Sequence, residues 1–331
     1  KNMKNLKKIG LTALAGSMVA ISAQAAEMTL SGSAVMTYIS KSGNQDATVT
    51  GSGIGVDKGM TASASGEMDN GIGVSLSHAV NDGATANAQT TSITLDLGDS
   101  GSLAYVQADL GGGVEALDDV MPTAHEEPSN GLTGLTSAGS SVATGFVYSN
   151  TVGGASISVN YAPTSQSSAN DQGTSTGAGA GTSSSSIGIT YPVADSGLTV
   201  YAGTGTDGST DGKDHSHDAL AVTYAFGPVT VGYQQWYNDA GAGTHYESDG
   251  MSVAFAVNEN LSLSYAKIDE TKYGAGNRSD NTNVEASMKA YNVAYSMGSI
   301  AIKAHHGKFD NPDFVSTTSN EMTEISVSFA F

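Results

Sequence analysis

"EISVSFAF", residues 324–331, closes the chain with unbroken alternation. Ile325, Val327, Phe329 and Phe331 share one parity, and Ser326, Ser328 and Ala330 the other. Successive strand side chains point to opposite faces, so the stretch reads as a strand with one greasy and one wet face. The same rhythm recurs upstream. "EMTLSGSAVMTYIS" sets Met28, Leu30, Ala34, Met36 and Tyr38 against Thr29, Ser31, Ser33 and Thr37. "IGVSLSHAV" groups Ile72, Val74, Leu76 and Val80. Helical periodicity is nearly absent.

A soluble protein of 331 residues would turn its greasy faces onto a core. Here the supply of large apolar side chains is thin: 39% of residues are hydrophobic, 7% aromatic, and 42 are glycine. About sixteen alternating segments can be marked. They are joined by connections that alternate in length. Tight turns such as Asp69-Asn70-Gly71 and Gly227-Pro228 are hairpin signals. Between them come long Gly/Ser/Asp-rich stretches, Thr164–Ser184, Gly203–His217 and Asp269–Asn283. Sandwiches have no reason for this rhythm, whereas an up-and-down barrel with short turns at one rim and long loops at the other does. The expected fold is therefore all-β: a transmembrane antiparallel up-and-down β-barrel of about sixteen strands. Lipid meets one face and water the other, and closure pairs every strand edge. Sixteen strands also leave an aqueous lumen.

The start of the chain reads as a leader. Lys4, Lys7 and Lys8 precede an apolar run from Ile9 to Ile21 and then Ala23-Gln24-Ala25, the order of a secretory signal peptide. Residues 1–25 are expected to be removed, with a two-residue prefix before Met3, leaving 26–331 as one barrel. The remaining chain has nine bases against 32 acids, a net charge of −23. That disfavours nucleic acid as a partner and suits an aqueous path that gathers cations. There is no cysteine.

Aromatics cluster where the strands should leave the apolar layer. Tyr224, Phe226, Tyr295, Phe329 and Phe331 lie near the tight turns, and Tyr38, Tyr161 and Tyr237 near the long loops. These are girdle positions. By parity Gln234 and Trp236 face inward. An inward tryptophan could stack on a sugar, but a lone Trp near a strand end reads better as a girdle residue.

The leader with its Ala25 cut, "EMTLSGSAVMTY", "ITLDLGDSGSLAYVQADLGGGVEALDD" (93–119) and the terminal Phe331 together resemble the Gram-negative trimeric outer-membrane porins, in particular general diffusion porins of the alphaproteobacterial type. The resemblance implies a homotrimer in the outer membrane, in contact with lipid bilayer and lipopolysaccharide. It implies a water-filled channel for small hydrophilic solutes and ions, and an assembly machinery that reads the terminal aromatics Phe329 and Phe331. One departure stands out: Arg278 is the sole arginine, whereas such porins line one constriction wall with an arginine cluster.

The resemblance also implies that the third long connection, residues 110–140, folds into the pore. Its Glu115, Asp118, Asp119, Glu126 and Glu127 would then form an acidic constriction favouring cations; otherwise they are ordinary acids on a solvated loop. "VEALDDV" (114–120) can make one helical turn. In "SIAIKAHHG" (299–307), Ile300 and Ile302 take the lipid parity. Lys303 and His305 then face the lumen as weak basic partners on the opposite wall, unless Lys303 merely balances a local carboxylate. "GTGTDGSTDGKD" (203–214) is a single Gly/Asp stretch without the repeat of calcium-binding β-helices. No cofactor or metal site is expected beyond loose divalent cations on acidic outer loops. No nucleophile motif appears, so the chain is not expected to be an enzyme. The alternatives to a general, cation-preferring porin are a porin selective for a sugar or other nutrient, and a secreted β-rich surface adhesin.

Overall fold

The computed structural model describes residues 27–44, 50–81, 88–107, 110–118, 120–132, 144–163, 183–208, 214–239, 243–274 and 284–330. The leader, Asp119, Arg278 and Phe331 lie outside the described residues.

Sixteen antiparallel strands follow one another around a closed barrel, with β16 pairing back onto β1. The first half is β1 (Glu27–Gly43), β2 (Gly51–Glu67), β3 (Gly73–Asn81), β4 (Ala88–Asp96), β5 (Ser102–Gln107), β6 (Thr144–Val152), β7 (Ala155–Ala162) and β8 (Ser184–Pro192). The second half is β9 (Leu198–Gly208), β10 (Asp214–Phe226), β11 (Val229–Asp239), β12 (His245–Ala256), β13 (Leu261–Tyr273), β14 (Ala286–Met297), β15 (Ile300–Asp310) and β16 (Ser319–Ala330).

Two strand ends differ from the sequence reading. The alternation of "KGMTASASGEM" predicts a strand from Lys58, but β2 begins at Gly51, because the length of β1 offers it partners as far as Lys41. Pairing outweighs the weak strand propensity of "GSGIGVD". Likewise β9 and β10 pair as far as Gly208 and Asp214, so most of the stretch 203–217 is wall rather than loop.

The closing strand behaves as its alternation requires. Ile325 and Phe329 are 46% and 41% exposed on the outside, while Ser326 is 3% exposed on the inside. Registers lock this parity around the wall: Tyr38 stands opposite Ile325 and Ile302 opposite Val327. A slip of one residue would turn every apolar side chain into the lumen. The girdle aromatics Tyr38, Tyr161, Tyr224, Phe226, Tyr295 and Phe329 are all exposed on the outer face. Trp236 corrects its girdle assignment. It is 7% exposed and belongs to an apolar cluster with Val114, Leu117 and Met121. Its side chain points inward, as its parity with buried Gln234 dictates, and a side chain inside the barrel cannot sit in a lipid girdle.

Candidate pore constriction

Part of the barrel's buried apolar set has an unusual source. Leu110, Val114, Leu117, Met121 and Leu132 belong to the connection between β5 and β6, which runs inside the barrel against the wall. Gly111, Gly112 and Gly113, with φ of 54°, 83° and 58°, turn the chain inward. Only glycine enters three consecutive left-handed positions without steric cost. A 3₁₀ turn follows at Gly113–Leu117, the turn foreseen in "VEALDDV" but displaced toward its first residues.

Polar side chains on the wet parity of the wall hold this segment at its backbone. The Gly113 and Val114 amides donate to Ser158 Oγ (2.9 Å) and Ser186 Oγ (3.0 Å). Asn160 donates to Gly112 O (3.2 Å) and Gln234 to Leu117 O (2.6 Å). Farther on, the Ala124 amide donates to Ser264 Oγ (2.8 Å), Asn292 to Glu126 O (2.8 Å), and Lys41 Nζ to Gly131 O (2.7 Å). The bonds pass from β7 around the barrel to β1. Each contributes about 1 kcal/mol net. Together they satisfy a backbone that forms no ladder of its own.

The wall also makes room. A methyl at Gly188 would strike the carbonyl of Gly113, and one at Gly232 the ring of Pro122. At Gly203 it would come within 2.8 Å of Leu117, and at Gly250 within 2.7 Å of Met121 Sδ. A glycine inside a strand marks close approach of another backbone or ligand. These wet-parity glycines form a bare trough that receives the segment.

Glu115, Asp118, Glu126 and Glu127 are all carried on the inner segment and half-buried. Asp118 caps the 3₁₀ turn, its amide bonded to Glu115 O at 3.1 Å. His305 and Lys303 face inward as their parity required. His305, however, lies beneath the segment rather than across from it. It is 1% exposed, and the Leu132 side chain lies close over its strand neighbour Gly307. The segment covers that stretch of wall from Ser264 to Lys41, so His305 is a supporting group: its Nδ1 meets Asn292 Oδ1 at 2.8 Å. Lys303 is half-buried.

Sequence reasoning missed Glu324 and Glu270. Glu324 faces inward and meets His125 Nε2 at 3.3 Å and Asn130 Nδ2 at 3.3 Å. Glu270 is fully buried and accepts from Ser248 Oγ at 2.8 Å. Glu324 stands on the serine parity of the closing strand, so the alternation rule alone could have found it.

On the short-turn side of the segment lies a cavity of about 960 Å³. Its lining includes Ser75, Thr94, Asp96, Asp99, Ser158 and Thr190 from the wall and Ala116 and Leu117 from the segment, with no lysine or arginine. The lumen there is hydroxyl-lined and acidic.

Comparisons with known proteins agree with this architecture. The family model described as Gram-negative porin matches residues 10–289. None of the curated proteins compared matches the chain. Among solved structures, the anion-selective porin from Comamonas acidovorans is similar with a TM-score of 0.67 at 13% identity, covering 92% of this chain and 100% of that one. OmpF of Salmonella typhi in complex with daunomycin is similar at 0.66 and 10% identity, covering 92% and 98%. OmpT of Vibrio cholerae is similar at 0.63 and 13%, covering 94% and 99%.

Proposed function

The chain belongs to the Gram-negative porin family, whose members are outer-membrane channels, and on that premise we propose passive diffusion of small hydrophilic solutes and ions with a preference for cations. At such low identity the likeness to the Comamonas protein carries the fold alone, and that protein is anion-selective. The sign of selectivity must therefore come from this chain's own side chains. The observation that carries the reading is the character of the lumen. The 960 Å³ cavity beside the segment has no base in its lining, its acids Asp96 and Asp99 standing at the short-turn end. The inner segment adds Glu115, Asp118, Glu126 and Glu127. Among the described residues the inward-parity lysines are Lys41, held against Gly131 O, Lys272, over the Tyr246 and Phe314 rings, and Lys303, a counterweight smaller than the set of carboxylates. Carboxylates lining a narrow, partly desolvated path raise the local concentration of cations.

The sugar-selective alternative finds less support. The single tryptophan packs into the seat of the inner segment, against Met121 and Gly250, and is not offered to the lumen. A homotrimer, contacts with lipopolysaccharide and recognition of the terminal aromatics by the assembly machinery come from family membership and remain part of the proposal. Planar-bilayer recording in a salt gradient tests the reading. A cation-preferring pore makes the dilute side positive at zero current. A reversal potential of the opposite sign refutes the preference, and absence of conductance refutes the channel.

A further inference from the structure

We propose that His125, Glu126 and Glu324 form a binding site for a divalent transition-metal cation of the zinc class, where the inner segment meets β16. They bring one imidazole and two carboxylates, with one ligand atom from each lying within 4.8 Å of the others. The site is sheltered: the side chains of His125 and Glu324 are 6% and 11% exposed.

The geometry around His125 calls for a cation. Its Nδ1 lies 3.3 Å from Glu126 Oε1, and its Nε2 lies 3.3 Å from Glu324 Oε1. Neutral imidazole has a single N–H. One of the two contacts would then set a lone pair against a carboxylate. A second proton relieves that clash, and so does a metal ion on one ring nitrogen with the N–H kept on the other. One ion takes a single nitrogen of the imidazole, and one ligand atom from each of the three residues lies within reach of it. Charge-assisted N–H···O⁻ bonds run about 2.7–2.9 Å. Two ligand atoms on one tetrahedral zinc, each bonded at ~2.0–2.1 Å, stand about 3.3–3.4 Å apart, the separation found in whichever of the two nitrogen–carboxylate pairs holds the ion.

The surroundings are those of a ligand set. Glu324 is steadied through Oε2 by Asn130 Nδ2 at 3.3 Å, and Ser326 Oγ stands 3.4 Å from His125 Nε2. Outer contacts of this kind orient metal ligands. Directly across the β15–β16 register from Glu324 stands a second imidazole, His305. Asn292 spends its Nδ2 on Glu126 O and Ser264 Oγ, so its Oδ1 accepts and His305 Nδ1 carries the proton. The Nε2 of His305 is left as a buried lone pair without a partner among the described residues. An imidazole donor discriminates against magnesium and calcium, which take oxygen ligands. A bound ion would bridge the inner segment to the wall and cancel carboxylate charge inside the lumen.

The test uses the membrane-extracted protein in mild detergent at pH 7.5, stripped with chelator and dialysed against Zn²⁺ in the presence of millimolar Mg²⁺. The expected result is one zinc per chain. His125→Asn and Glu324→Gln should each weaken binding at least tenfold, with unchanged heat-modifiable gel migration showing an intact barrel. In bilayers, micromolar Zn²⁺ should lower the cation preference of the wild type and leave the His125→Asn channel unaffected. No stoichiometric zinc, zinc displaced by Mg²⁺, or zinc retained equally by both variants would overturn the site. The dialysis result does not depend on conduction, so it separates failure of this proposal from failure of the channel reading.

Discussion

Gly188 contributes by lacking a side chain. Its Cα lies so close to the Gly113 carbonyl that an added methyl has no space, and backbone cannot swing aside as a side-chain end can. Gly188→Ala should therefore unseat the start of the inner segment at a cost of about 1–3 kcal/mol, the range for overpacking. The barrel ladder is untouched. The expected signature is an altered single-channel conductance with normal heat-modifiable migration, while Gly53→Ala, facing open space, changes neither. Equal conductance in the two variants would remove the trough from the account. Gln234 makes the complementary case. Its side chain is fully buried and donates to Leu117 O. Gln234→Leu keeps much of the volume but orphans that carbonyl, a loss of about 1–3 kcal/mol. Recordings of this variant should show more frequent conductance substates than the wild type, and equally quiet traces would contradict the anchoring role.

Among the elements, the strands were legible and the inner segment was legible only in part. Alternation in "EISVSFAF" and "SIAIKAHHG" fixes which side chains face lipid, because the pleat has period two and one face must be apolar. It also placed Lys303, His305 and Gln234 inward. What alternation cannot supply is the path of a segment without a ladder. His305 reads from sequence as a lumen base, yet it lies under the segment. Trp236 reads as a girdle residue, yet it forms part of the segment's seat. Both depend on pairings more than a hundred residues apart, such as Gln234 with Leu117 and Asn292 with Glu126. A signal was present in the wet-parity glycines of "SSIGITY" and "VTVGYQQWY", which are costly in strands unless something approaches closely. The closing strand carries its own prediction. β16 is held on both sides, by β15 and β1. One terminal aromatic is worth roughly 1–3 kcal/mol of burial, too little to decide the stability of sixteen paired strands. Deleting Phe331 should lower the amount reaching the outer membrane far more than it lowers the melting temperature of what arrives. Normal membrane levels would count against an assembly role.

For the whole molecule, the barrel sets the size of the hole, and the inner segment is proposed to set its electrical character. Net charge alone cannot do this. At physiological ionic strength the Debye length is about 8 Å, so carboxylates on the rims are largely screened from the narrow part. The proposed homotrimer should give native mass spectra at three times the mass of a single chain in mild detergent, and monomers alone would refute that assembly. The central claim, that the segment's acids make the channel cation-preferring, has a direct measurement. Reversal potentials in a salt gradient are compared for the wild type, for Asp118→Asn, Asp119→Asn, Glu126→Gln and Glu127→Gln combined, and for Glu67→Gln, Asp69→Asn and Asp195→Asn combined at the short-turn rim. The segment variant should move most of the way to zero, and the rim variant should stay close to wild type. Equal shifts in the two variants, or none in the first, would show that the inner segment does not set the selectivity.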